Sequence, residues 1–153
     1  MFIQKVLMAL EEAKLPYALV GGYAVALHGA VRGTVDVDLV IRLESADFEK
    51  VEQIFKKLGL VPRLPVSAKE VFEFRVEYIE NRNLIAWTFL NPNLPSELVD
   101  VIITEDLRDM RVVNKKAIGM NIKLASIEDV IRMKKKAARP QDLLDVEALE
   151  KLL

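Results

Sequence analysis

Between Thr34 and Arg42 every second residue of the chain is apolar. Val35, Val37, Leu39 and Ile41 are apolar; Thr34, Asp36, Asp38, Val40 and Arg42 stand between them. A period of two is that of a β-strand with one face in a core, and it excludes a helix. The other face then carries two carboxylates, Asp36 and Asp38, about 6–7 Å apart. Across that gap they can hold one cation, or flank a pair about 3.5–4 Å apart. Asp145-Val146-Glu147 has the same spacing, but it falls in a helical pattern, where residues two apart point to different sides. Only the strand pair has this chemistry open to it.

Spacing alone is a weak signal, since 23 acidic residues in 153 give roughly three such pairs by chance. A solvated strand face is the plain alternative. Asp100 adds to the case. It interrupts Leu98-Val99-Asp100-Val101-Ile102-Ile103, an apolar run in which a bare carboxylate costs several kcal/mol or takes up a proton. It needs a cation, or a nearby Arg or Lys. If its strand lies beside Thr34–Arg42, the three carboxylates converge on one face as metal ligands. Oxygen donors, with no cysteine and one histidine, favour Mg2+ or Mn2+ over zinc.

The rest of the chain supplies a frame of mixed α and β elements. An apolar stripe from Phe2 to Ala13 predicts a helix stopping near Pro16. Tyr17–Val20 reads as a strand running through Gly21-Gly22 into a buried helix, Tyr23 to about Gly29. There backbone N–H groups and the helix's positive end offer a phosphate site. Ser45 is expected to cap a helix that Gly59 and Pro62 end. Residues 67–80 fit both periods; Ser67 and Glu70 form a capping box, which favours helix. Leu84–Leu90 and Leu98–Thr104 read as antiparallel strands joined through Asn-Pro-Asn-Leu-Pro. An irregular stretch leads to a strand at Asn121–Ala125. Ser126 and Asp129 open a helix to about Ala138, and Pro140 starts a last one with Leu143, Val146, Leu149 and Leu153 inward. The fold class is α/β (α+β), a mixed or antiparallel sheet flanked by helices, in one domain spanning residues 1–153.

A net charge of −1 provides no general pull toward nucleic acid or acidic lipid. The N-terminus has no signal-peptide pattern, and the stretch Tyr17–Val31 is too short to cross a bilayer. A soluble, cytoplasmic protein with no membrane partner is expected. The absence of cysteine excludes disulfides and thiolate chemistry. His28, on an apolar helix, reads as a hydrogen-bonded structural residue and Trp87 as core. Asp142 and Asp145 read as capping or pairing groups near the last helix's start.

These residues resemble the DNA polymerase β-type nucleotidyltransferase superfamily. Its signature is a hydrophobic residue, Gly-Gly or Gly-Ser, about a dozen residues, Asp-hydrophobic-Asp-hydrophobic, and a later third carboxylate. Here it reads Val20-Gly21-Gly22, Asp36-Val37-Asp38-Leu39 and Asp100. Within it the chain resembles one branch more closely: small bacterial and archaeal nucleotidyltransferase-like proteins related to AbiEii-type toxins. They show Arg-x-Thr before the Asp pair, here Arg32-Gly33-Thr34, and an ending that this chain gives as Ala125 to Ile131, Met133-Lys134 and Arg139 to Val146. The resemblance is loosest over Val61–Leu94.

The resemblance implies a minimal nucleotidyltransferase fold and metal-dependent transfer of a nucleoside monophosphate from an NTP, ATP first among them, to a hydroxyl. Asp36 and Asp38 would hold the metals, and Asp100 would also help deprotonate the acceptor. Gly21, Gly22, Arg32, Thr34 and Lys134 would bind the nucleotide, although Arg32 and Thr34 also fit as strand-entry residues and Lys134 as a solvated helix flank. The acceptor, a protein, RNA or small molecule, is left open. Relatives with a known acceptor often carry a further domain for it, and none is expected in this chain. The rival expectation is a non-catalytic nucleotide- or partner-binding module, half of a toxin–antitoxin type pair with a protein partner. A phosphohydrolase using the same carboxylates is the third.

Overall fold

A computed structural model describes all residues, 1–153. The chain runs α1 (Phe2–Glu12), β1 (Ala18–Val20), α2 (Gly21–Leu27), β2 (Val37–Val40), α3 (Ser45–Lys57) and β3 (Val61–Pro62). It continues through α4 (Ala68–Glu73), α5 (Arg75–Arg82), β4 (Ala86–Asn91), β5 (Leu94–Ile102), β6 (Val112–Ala117), β7 (Met120–Ala125), α6 (Ile127–Ala137) and α7 (Pro140–Glu150). The strands make one mixed sheet in the order β3-β4-β5-β2-β1-β7-β6. β2 is central, antiparallel to β1 and parallel to β5. No helix is long and apolar enough to cross a membrane.

The register sorts the sheet's two faces. Trp87 pairs with Val101, Phe89 with Val99, and those two valines pair with Leu39 and Val37. This apolar face meets α3 and α4: Phe48 stacks on Trp87 and meets Phe72 edge-on, while Phe55 meets Phe89 edge-on. All but Phe72 are buried. The opposite face has a different row. Thr88 pairs with Asp100, Asp100 with Asp38, and Asp38 with Val20. Residues paired across neighbouring strands share a face, so one line across four strands carries both carboxylates.

Several expectations need adjusting. The strand at 34–42 keeps only Val37–Val40, because its partners offer ladder positions at 37–39 and 38–40 alone. Asp36 therefore lies just outside the ladder, and Val35 is exposed. Glu44, not Ser45, is the N-cap of α3, with no side-chain cap bond. The Ser67–Glu70 capping box forms as expected, but the helix breaks at Phe74 into α4 and α5. The antiparallel pair β4–β5 is present, closed by a tighter turn that lets β5 begin at Leu94. β6 was not foreseen. It joins β7 through Ile118-Gly119, where both φ angles are positive, +47° and +73°, as a two-residue hairpin turn requires.

α7 departs most from expectation. Val146 and Leu149 point inward, but Leu143 and Leu153 are exposed, and the remaining inward positions belong to Asp142 and Asp145. The face toward α6 is half ionic because α6 presents Lys134 to it.

Candidate active site

The carboxylate row forms one wall of a cavity of about 430 Å3. All eight residues singled out from the sequence line it: Gly21, Gly22, Arg32, Thr34, Asp36, Asp38, Asp100 and Lys134. They do not form one converging set. Asp38 and Asp100 are register partners across the parallel β2–β5 pair, each within reach of the other's charge. Asp36 is exposed on the segment before β2, and no three carboxylate or imidazole groups are gathered as a metal-binding cluster. Loss of the ladder at residue 36 accounts for this, since nothing in the sheet fixes the expected common projection of Asp36 and Asp38.

Electrostatics make the Asp38–Asp100 pair costly. Burial, then the charge of Asp100 and the hydrogen bond to it, then the charge of Asp36, push Asp38 up to about 7, against a smaller opposing pull from Lys134. Two carboxylates this close resist ionising together. On the other side of Asp100, the Thr88 hydroxyl donates to Oδ1 at 2.5 Å. That bond fixes the carboxylate's rotation and commits one oxygen.

The glycine pair has a definite geometric role. Gly21 opens α2 with φ at +69°, and a Cβ there would lie 1.9 Å from Asp38 Oδ2. A Cβ on Gly22 would lie 2.7 Å from Thr34 Oγ1. The space these glycines leave is thus taken by the site's own side chains, Asp38 and Thr34. The close approach is real, although its beneficiary is first of all a carboxylate rather than a phosphate.

Cations edge the rest of the cavity, and they are paired. Lys134 is buried between Asp142 Oδ1 at 3.1 Å and Asp145 Oδ2 at 2.9 Å. Arg32 Nε bonds Asp145 at 3.1 Å, and Arg139 Nε bonds Asp142 at 2.7 Å. Lys134 is therefore not a solvated helix flank. Burial raises both aspartates, but it is more than offset: bonds from Arg139 and Lys134 leave Asp142 low, and bonds from Lys134 and Gln141 do the same for Asp145. Arg139 and Asp142 line the cavity too, and sequence reasoning had not placed them there. Their signal was present: Asp142, Asp145, Val146 and Leu149 share one face at helical spacing. His28 Nε2 lies 2.7 Å from the Ala125 carbonyl oxygen, as expected of a structural residue.

Neither a protein-family model nor a curated protein matches this sequence. Solved structures do match in fold. The lincosamide antibiotic adenylyltransferase LnuA, bound to lincomycin, superposes with a TM-score of 0.66 at 14% identity, over 99% of this chain and 96% of that one. The antibiotic-resistance factor ANT(2'')-Ia gives 0.65 at 17% identity, over 99% and 80%. An antigenic nucleotidyltransferase-like protein from Paracoccidioides brasiliensis gives 0.58 at 21%, over 99% and 75%. Likeness at these identities establishes that the chain has the nucleotidyltransferase fold.

Proposed function

We propose that the protein transfers a nucleoside monophosphate from an NTP to a hydroxyl acceptor, with Mg2+ or Mn2+ as cofactor. The observation that carries this reading is the Asp38–Asp100 pair facing the cavity beside the start of α2, with Thr88 bonded to Asp100. The donor set suits a hard divalent ion: two adjoining carboxylates, one pushed up to about 7 by burial and by the other's charge, with the single histidine engaged elsewhere. Asp38 and Asp100 would be its ligands, joined by Asp36 from the unpaired segment just before β2. Such an ion would neutralise charge on the triphosphate.

The chain's own groups supply positioning and charge. Asp100, held by Thr88, keeps one oxygen to accept the acceptor hydroxyl's proton. The acceptor's own oxygen, having given up that proton to Asp100, bonds to the α-phosphorus as the bond to the pyrophosphate leaving group breaks. Arg32, Lys134 and Arg139 would face the phosphates, while the glycine pair makes room for Asp38 and Thr34 beside them. Two fold neighbours support the direction of the chemistry. LnuA is an adenylyltransferase, and ANT(2'')-Ia was captured with adenylyl-2''-tobramycin. ATP is the first donor to try, and the acceptor class is a protein, RNA or small molecule.

The test is transfer of label from α-labelled ATP in the presence of Mn2+ to acceptors in an extract. Asp38→Asn and Asp100→Asn should each lower transfer by about 10²–10⁴-fold. Metal-independent labelling unchanged in both variants would reject the reading. A second reading, a partner-binding module without turnover, is favoured by the outward Leu143, Leu144, Leu152 and Leu153 on and after α7. A stoichiometric protein complex lost in Leu144→Glu, with no labelled product, would select it.

A further inference from the structure

Asp145 ties two separate segments together. From α7 it bonds Lys134 of α6 at 2.9 Å and Arg32 of the segment before β2 at 3.1 Å. It also accepts from Gln141 Nε2 at 2.9 Å. Asp142 is the second partner of Lys134 and holds Arg139. Both aspartates and Lys134 are almost wholly buried, at 1%, 3% and 7% exposure. Two carboxylates thus bind three cations, leaving one net positive charge at the cavity edge. Lys134 has no side-chain partners besides these aspartates. Arg32 has only Asp145 and its neighbouring Gly33 carbonyl.

A lysine with four side-chain torsions and an arginine on an unpaired segment lose much rotamer freedom when fixed on a ligand. Partners that fix them beforehand remove that cost. We propose that Asp145 is a positioning residue that aims Arg32 and Lys134 together at the β- and γ-phosphates of a bound nucleoside triphosphate. This rests on the reading of the cavity as a nucleotide site. Asp145 would touch no substrate and act only through the two cations. It explains why α7 gives core positions to aspartate while leaving leucines outside.

The opposite role, a carboxylate that competes with phosphate for the same cations, predicts tighter binding on its removal. Calorimetric titration of Asp145→Asn with Mg·ATP, inorganic tripolyphosphate and AMP separates the two. Positioning predicts about tenfold weaker binding of ATP and tripolyphosphate, with AMP changed less than about twofold. Arg32→Gln, on an exposed segment, serves as the second variant if Asp145→Asn does not fold. It should weaken ATP and tripolyphosphate while sparing AMP. Where both fold, the double variant should lose less than the sum of the single losses, because Asp145 acts through Arg32. Equal loss for ATP and AMP, additive losses, or unchanged or tighter ATP binding would overturn the assignment. A wild type that binds tripolyphosphate as predicted but transfers no nucleotide would overturn the transferase reading alone. One that binds neither ATP nor tripolyphosphate would overturn both.

Discussion

Gly21 and Asp38 are mutually dependent. The left-handed backbone of Gly21 and the 1.9 Å separation a Cβ would have from Asp38 Oδ2 leave no room for alanine unless the carboxylate moves. Gly21→Ala is expected to cost about 1–3 kcal/mol in stability from backbone strain and to weaken Mn2+ binding about as much as Asp38→Asn, read by thermal melts and calorimetry. The pH dependence has a definite sign. Asp38 is raised to about 7, chiefly by burial and next by Asp100, against about 3.9 when unfolded. Between those values the folded chain keeps a proton that the unfolded chain has lost, so stability falls as pH rises from about 4 to about 7. In metal-free protein at pH 8, Asp38→Asn should therefore exceed wild type by about 1–3 kcal/mol, with a smaller gap at pH 5. A variant less stable than wild type at pH 8 would contradict the carboxylate repulsion. At this scale Asp38 and Asp100 were readable because an acid in an apolar alternating strand is anomalous. Asp142 and Asp145 were readable as capping or pairing groups, which they are, but not as holders of the cavity's cations, because acids in the first turns of a helix have an ordinary explanation in the helix dipole.

Among the elements, α6 and α7 carry the cationic side of the cavity, and their ends determine where those charges lie. Ser126 caps α6: its buried hydroxyl accepts from Asp129 N at 3.2 Å and donates to Asp129 Oδ2 at 3.0 Å, while that carboxylate oxygen accepts from Arg111 N at 2.8 Å. The reciprocal bond of a full capping box is absent, since Ser126 N donates to the Arg111 carbonyl. Ser126→Ala should cost about 1 kcal/mol, a fall in Tm of about 2–4 °C in a differential scan, and no change would remove the cap from the account. Helix starts were legible wherever a side chain caps, as at Ser67 and Ser126. They were misread by one residue at Glu44, where backbone alone does so. β6 escaped notice because its run Val112-Val113-Asn114-Lys115-Lys116-Ala117 is half polar and, at a sheet edge, has no buried residue, so it lacks a buried face to give it a period. The inward face of α7 was misassigned because hydrophobicity alone put leucines in the core, whereas ion pairing with Lys134 decides the helix's rotation.

For the whole molecule, the decisive fact is the strand order. β2 lies between β1 and β5, which places Asp38 between Val20 and Asp100 and puts Thr88 beyond Asp100. The two local patterns, one at 34–42 and one at 98–104, were each visible in the chain. Their adjacency was conditional, because nothing local in either strand encodes its neighbour. The same order explains why Asp36 stands apart: β1 is three residues long and the ladder ends before reaching it. The central claim is that this row is a divalent-metal site completed by nucleotide. Anomalous diffraction from crystals grown with Mn2+ and a non-hydrolysable ATP analogue tests it most directly. The account predicts manganese bound by both Asp38 and Asp100, with Asp36 turned in to join them and the triphosphate against Arg32 and Lys134. Manganese bound elsewhere, or nucleotide seated in the cavity without metal on Asp38 and Asp100, would contradict it.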